Sequence, residues 1–210
     1  MIKQIIFDLD GTLVDSLDTF IKIGNQMVEK HGYQQLSEDK IKELLRLPMK
    51  ERIESLNIPI YKLLKMGVEA LKLFSEYAAH VKPISGIKEV VQYLHIMGYG
   101  LNIVSSNTSH NIDTFLKANE LCFFNNIQSS KGLFGKHITI SKLISKLDAE
   151  KDEVIYIGDE QRDVEACKKV GIQVISVLWG FDSLELIQQK SPEFIVSDPQ
   201  EIVEIINAIK

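Results

Sequence analysis

Short apolar runs alternate along most of this chain with segments whose apolar residues recur every three or four positions. Ile5, Ile6 and Phe7 form the first run, and Leu101, Ile103 and Val104 belong to a later one. Runs of this kind suit parallel strands buried on both faces. Strands are predicted to end near Ser105, Ser129, Gly158 and Ser176, each followed by a helix-period segment. In the segment after Lys136, for example, Ile140, Leu143, Ile144 and Leu147 fall at i, i+3, i+4 and i+7. This is the βαβ text of an α/β fold with a doubly wound parallel sheet. Phe194 to Val196 adds a short edge strand, and a last helix from Pro199 to Ile209 carries Ile202, Ile205 and Ile206 on one face.

Between residues 17 and 80 the strand pattern disappears. Asp15 or Ser16 caps a helix with Phe20, Ile23 and Met27 on one face and Gly32 as its stop. Ser37 precedes a helix carrying Ile41, Leu44 and Leu45, which Pro48 ends; Met49 to Leu56 read as a short helix. Pro59 precedes a longer pattern through Leu64, Val68, Leu71 and Phe74, and Pro83 and Gly86 mark the return to alternation. The predicted organisation is a discontinuous α/β catalytic core, residues 1–16 and 81–210, interrupted by a small all-helical cap domain over residues 17–80. The insertion departs from the end of the first strand, so it is placed to cover whatever lies there.

Composition narrows the partners. Apolar content of 45% and charged content of 25% over 210 residues are those of a globular protein. No run approaches the roughly 20 apolar residues of a membrane span, and the N-terminus enters a strand directly, so a cytoplasmic location without a membrane partner is expected. A net charge of −5 gives no basic surface for nucleic acid and favours a small soluble substrate. Cys122 and Cys167 have neither metal-ligand nor redox spacing and read as reduced, structural residues. The five histidines are scattered, so any metal should be held by oxygen. A monomer or homodimer is expected.

The candidate chemistry lies at the strand ends. Asp8 and Asp10 close the first run and open onto Gly11 and Thr12. Two carboxylates one residue apart can supply a nucleophile, an acid/base and half of a metal site. Gly11 lets Thr12 and nearby amides approach a phosphate closely. Alone, the segment fits equally a core strand that ends in solvated aspartates. Ser105, Ser106 and Asn107 end the second strand before a helix beginning near Ser109, an arrangement that suits phosphate oxygens or simple helix capping. Lys136, at a helix start, offers a compact positive charge; Lys131 competes for the same role. Asp159 could ligate Mg²⁺ directly with Asp163 steadying it, and Glu160 either joins them or is solvated. Together these place Asp, Ser, Lys and Asp at four strand ends on one sheet edge.

The order DLDGT, a serine ending the second strand, a lysine and then GDEQRD resembles the haloacid dehalogenase superfamily of aspartate-nucleophile phosphohydrolases, over essentially the whole chain. The insertion after DLDGTLVDS looks like the small helical cap of its first subclass. The stretch GDEQRDVEACKKVGIQVISVLWGFDS looks like the branch containing phosphoglycolate phosphatases. The resemblance implies Asp8 as nucleophile, Asp10 as general acid/base, and Ser105 and Lys136 as phosphate binders. It implies Mg²⁺ held by Asp8, the Asp10 backbone carbonyl and Asp159, with Asp163 in support. His137 follows Lys136 where many relatives have proline. Because dehalogenating members replace the second aspartate of the first motif, Asp10 favours phosphate chemistry.

The expected function is Mg²⁺-dependent hydrolysis of a small phosphorylated metabolite, phosphoglycolate by branch resemblance, through an aspartyl phosphate. A phosphomutase on the same scaffold, or a non-catalytic phosphoacceptor module, are the alternatives. Paired carboxylates and an insertion of about 64 residues weigh against the module. In the cap, Arg46, Lys50 and Arg52 could meet a substrate anion or form a solvated face. Trp179, Phe181 and Asp182 could line the entrance or simply pack.

Overall fold

The computed structural model describes residues 1–130 and 135–209. Six parallel strands form one sheet in the order β3-β2-β1-β4-β5-β6: β1 (Gln4–Phe7), β2 (Gly100–Ser105), β3 (Asn126–Ser129), β4 (Val154–Gly158), β5 (Gln173–Val177) and β6 (Phe194–Val196). The chain winds outward from β1 through β2 to β3, then returns to the other side of β1 for β4, β5 and β6. Strand order therefore reverses beside β1, and a crevice opens there at the carboxyl ends. Phe7 is in register with Ile103 of β2 and Ile157 of β4, which brings the segments after all three strands to one edge.

Both sheet faces are largely apolar, as the runs predicted, with Asn102 of β2 buried among them and bonded to Gln4 and Asn126. Ile5, Phe7, Ile155 and Ile157 point into one core with α5 (Ile87–Ile96), α6 (Ser109–Ala118) and α10 (Pro199–Ala208). Ile6, Val154 and Tyr156 point into the other, with α7 (Lys136–Leu147) and α8 (Gln161–Val170). Alternation along each strand feeds both layers. A short α9 (Leu184–Gln188) precedes β6. No described helix is long and apolar enough to cross a membrane.

The helical insertion comprises α1 (Leu17–Lys30), α2 (Glu38–Leu45), α3 (Met49–Ser55) and α4 (Ile60–Phe74). Its connections to the core run side by side. Val14 pairs antiparallel with Pro83, Asp15 N donates to Lys82 O at 3.0 Å, and Ile84 N donates to Leu13 O at 3.0 Å. Phe20 of α1 stacks on Phe74 of α4 at 4.9 Å between centroids and meets Phe181 of the core edge-on at 6.0 Å.

Two sequence expectations need correction. The α4 stripe through Leu64 and Val68 faces outward, both side chains being more than half exposed. Phe74 is buried as the pattern predicted, but it is joined by Met66, with Leu63, Ala70 and Leu73 packed beside them. Ser16 occupies the N-cap of α1 as expected, but its side chain makes no capping bond and its buried Oγ has no hydrogen-bond partner among the described residues.

Candidate active site

Asp8 extends β1 by one residue, its N–H donating to Ile157 O at 2.8 Å. Leu9 N donates to Asp8 Oδ1 at 2.7 Å, and Lys136 Nζ to Oδ2 at 2.6 Å. The chain then curls back, with the amides of Thr12, Leu13 and Val14 all directed at Leu9 O. Gly11 has φ +76°, and a Cβ there would overlap Asp159 Oδ2. The glycine answers to both backbone conformation and close approach.

Across the crevice, β4 ends in Gly158 and delivers Asp159. Thr12 Oγ1 donates to Asp159 Oδ1 at 3.0 Å, and Phe181 N to Oδ2 at 2.8 Å. Gly180 closes the opposite side, where a Cβ would overlap the Asp159 side chain. Asp159 is thus gripped between two glycines. Glu160 and Asp163 form a reciprocal capping box at the start of α8, with Glu160 N donating to Asp163 Oδ2 at 3.2 Å. A Cβ on Gly158 would strike Asp163 Oδ2, so glycine there lets Asp163 fold back onto the strand end. Arg162 Nε donates to Glu160 Oε2 at 2.6 Å.

Lys136, the first residue of α7 and only 4% exposed, bridges the two halves. Its Nζ donates to Asp8 Oδ2 and, at 2.5 Å, to Asp163 Oδ1, and lies 5.7 Å from the Tyr156 ring centre. Burial alone would lower the lysine's pKa, but Asp163 and Asp8 outweigh it and hold the ammonium charged. Lys131 lies outside the described residues.

On the β2 side, Asn107 Nδ2 donates to Asp10 Oδ2 at 2.9 Å. Asp10 Oδ1 is buried and has no partner among the described residues. Asn107 is held from three directions: its N–H donates to Ser105 Oγ at 3.0 Å, Ser129 Oγ donates to its carbonyl at 2.6 Å, and Asn111 Nδ2 donates to its Oδ1 at 2.8 Å. Asn111 Nδ2 also donates to Leu71 O of α4 at 3.0 Å, so a chain of amides runs from the insertion to Asp10. Ser106 is half-buried in the same loop.

Burial raises the Asp8 pKa to about 6 against the lowering pull of Lys136. It raises Asp10 to about 7 despite the Asn107 hydrogen bond. Burial, with Glu160 and Asp8 adding like charge, pushes Asp159 well above the carboxylate range. Burial raises Glu160 too, with Arg162 opposing.

Asp8, Asp10, Asp159, Glu160 and Asp163 are all buried, and among the described residues the cations paired with this group are Lys136 and Arg162. One oxygen from each of Asp8, Glu160 and Asp163 lies within 4.8 Å of the others. A surplus of hard oxygen donors and negative charge in low dielectric fits a small divalent cation. The structure gathers Asp8 with Glu160 and Asp163, whereas Asp159 engages Thr12 and Phe181. Sequence reasoning did not find the Glu160–Arg162 pair, the Gly180 wall or Asn111. Only Gly180, set between two aromatics just past a strand, left a visible signal.

The family model for "Haloacid dehalogenase-like hydrolase" matches residues 5–177. The chain is 26% identical over 208 residues to the phosphoglycolate phosphatase of Synechococcus elongatus, covering 99% of this chain and 98% of that protein. It is 24% identical over 213 residues to the pyrophosphatase PpaX of Anoxybacillus flavithermus, covering 98% and 97%. The crystal structure of a predicted phosphatase from Clostridium acetobutylicum superposes with a TM-score of 0.86 at 23% identity, covering 99% of this chain and 100% of that one. With a parallel six-stranded core, acidic side chains at its carboxyl edge and a helical cap inserted after the first strand, the chain belongs to the haloacid dehalogenase-like hydrolases.

Proposed function

We propose that this hydrolase cleaves a small phosphomonoester through an aspartyl phosphate on Asp8, with Mg²⁺ as cofactor and residues 17–80 as the cap over residues 1–16 and 81–210. The observation that carries the reading is the pairing of Lys136 with Asp8 beside an Asp10 carboxyl that keeps one oxygen unpartnered among the described residues. Asp8, with a pKa of about 6, is ionised at neutral pH, as a nucleophile must be. One of its oxygens attacks phosphorus, and the bond to the leaving oxygen breaks. Lys136 stands where it can neutralise charge on the phosphoryl oxygens, and the Ser105 hydroxyl retains a proton to donate to them.

Asp10, with a pKa of about 7, is matched to proton transfer near neutrality. Its Oδ1 gives a proton to the leaving alkoxide. The resulting carboxylate then takes one from the water that attacks the aspartyl phosphate, releasing phosphate and restoring Asp8. Asn107 orients Asp10 throughout, and Thr12 orients Asp159. Asp8, the Asp10 backbone carbonyl and Asp159 would hold Mg²⁺, with Glu160 and Asp163 in support. When bound, the ion offsets repulsion between carboxylate and phosphoryl groups and polarises phosphorus.

Similarity to phosphoglycolate phosphatases makes phosphoglycolate the first substrate to try. The test is Mg²⁺-dependent phosphate release from a panel of phosphorylated metabolites, by the wild-type chain and by Asp8→Asn. Release abolished by the substitution is expected. Comparable Mg²⁺-dependent release from Asp8→Asn would overturn the reading, and transfer of phosphate to a sugar in place of water would select the phosphomutase.

A further inference from the structure

The geometry points to Arg52 as a positioning residue: from the cap, through Asp182, it fixes the 179–182 loop and with it the Asp159 carboxylate. The inference rests on the proposed role of Asp159 as a metal ligand.

Arg46 and Lys50 are exposed, with Lys50 reaching only Glu54 at 3.9 Å. Arg52, two residues beyond Lys50 on α3, is turned inward, its side chain only 11% exposed. Its Nε donates to Leu47 O at 2.7 Å and its Nη2 to Leu45 O at 2.9 Å, which fastens the guanidinium to the α2–α3 turn. The same Nη2 donates to Asp182 Oδ1. Among the described residues this is the one ion pair that joins the helical insertion to the α/β core.

Asp182 is not an isolated counterion. Its Oδ2 accepts from Gln161 N at 2.7 Å, the first residue of α8 and two positions beyond Asp159. The preceding residue, Phe181, gives its N–H to Asp159 Oδ2, and Gly180 walls the same side chain. Trp179 Nε1 donates to Thr12 O at 3.1 Å, and Thr12 Oγ1 holds the other Asp159 oxygen. Four consecutive residues therefore touch both aspartate-bearing loops, and the cap anchors their far end.

Stability does not account for the pair, because a buried ion pair is commonly no better than apolar packing of the same volume. Direction does. A planar guanidinium shared among two carbonyls and a carboxylate fixes Asp182 relative to the cap. With α3 lifted away, Asp182 keeps the Gln161 amide alone of these contacts, and the loop that walls Asp159 loses its anchor on the cap.

Trp179 is the only tryptophan of the chain and lies in this loop, so its emission reports the loop without substrate or turnover. The test is a Mg²⁺ titration of the full chain followed by that emission. Wild type, Arg52→Met, Asp182→Asn and the double variant are compared, with Lys42→Met on the exposed face of α2 as control. Asp182→Asn keeps an acceptor for Gln161 N, so it probes the pair even where Arg52→Met loosens the α2–α3 turn.

Each single substitution is expected to weaken Mg²⁺ about tenfold or more, the usual effect of removing a group that orients a ligand. The double variant should be no weaker than the worse single, and Lys42→Met should match wild type. Folded Arg52→Met with an unshifted midpoint, or additive effects in the double variant, would overturn the inference. A wild-type protein without any Mg²⁺ response overturns the metal assignment itself, and the inference with it.

Discussion

Lys136 donates to Asp8 at 2.6 Å, so the carboxylate proposed as nucleophile is already paired in the free protein. The same ammonium serves Asp163, and it stands among five buried acids. Replacing it with methionine leaves those acids without their central cation. Lys136→Met is expected to lose about 3–5 kcal/mol of stability at neutral pH, the range seen when one member of a buried pair is removed. Phosphate release should fall at least a hundredfold. Denaturant unfolding checks the first value, and adding Asp8→Asn should restore part of it.

The raised acids give the metal-free protein a pH signature. Asp8 and Asp10 titrate at about 6 and about 7 in the folded chain, against 3.8 ordinarily. Between those values the folded chain binds protons that the unfolded chain has released. The two carboxyls' contribution to stability is therefore full below the unfolded pKa and is lost as pH rises through 6 and 7. Asp10→Asn should consequently stabilise the metal-free chain by about 1–3 kcal/mol at alkaline pH and far less in mild acid. Guanidinium midpoints at the two pH values measure the difference; equal gains at both would contradict it.

Gly180 does not have a positive φ, so alanine is excluded there by space and not by backbone strain. Gly180→Ala would force the new methyl group against Asp159. Expected are about 1–3 kcal/mol of destabilisation from overpacking and a loss of Mg²⁺-dependent turnover larger than that loss of folded protein explains. Activity per folded molecule, with the folded fraction taken from thermal melts, separates the two effects.

Asn111 spends its amide group on Leu71 O and Asn107 Oδ1. Asn111→Leu keeps the bulk but removes the donor to Leu71 O and leaves Asn107 Oδ1 with the Thr108 N–H at 2.9 Å, at a cost of about 1–3 kcal/mol. With Asn107 freed from behind, Asp10 loses its orientation. A fall in kcat of about tenfold with little change in KM is expected, since neither residue is placed against the leaving group. Steady-state kinetics on the best substrate of the panel provide the check.

Strands β1, β2, β4 and β5 were legible because each is a short, largely apolar run closed by turn or helix-start residues, and Asp8, Ser105 and Asp159 stand where such runs stop. Helix α4 was legible as a helix but not as to its buried face. Apolar residues lie on nearly every side of it, so Leu64 and Val68 fit the period as well as Leu63, Met66 and Ala70 do. Arg52 and Asp182 each stood out singly, but they lie 130 positions apart and nothing local joins one to the other. Asn107 illustrates a third case. Its place at a strand end was plain, but its attachment to Asp10, 97 residues away, depends on how two loops meet.

Because Val14 and Pro83 are partners in one small ladder, the helical insertion enters and leaves the core at a single point. The sheet therefore has no register, strand or crossover that depends on the insertion's length or shape. Closing the gap between two neighbouring strands of chain requires only a short turn, so a different insertion, or none, could be grafted at this point without rethreading the core. Selection can thus recast the lid over the crevice, residue by residue or wholesale, while the acids beneath it inherit an unchanged foundation.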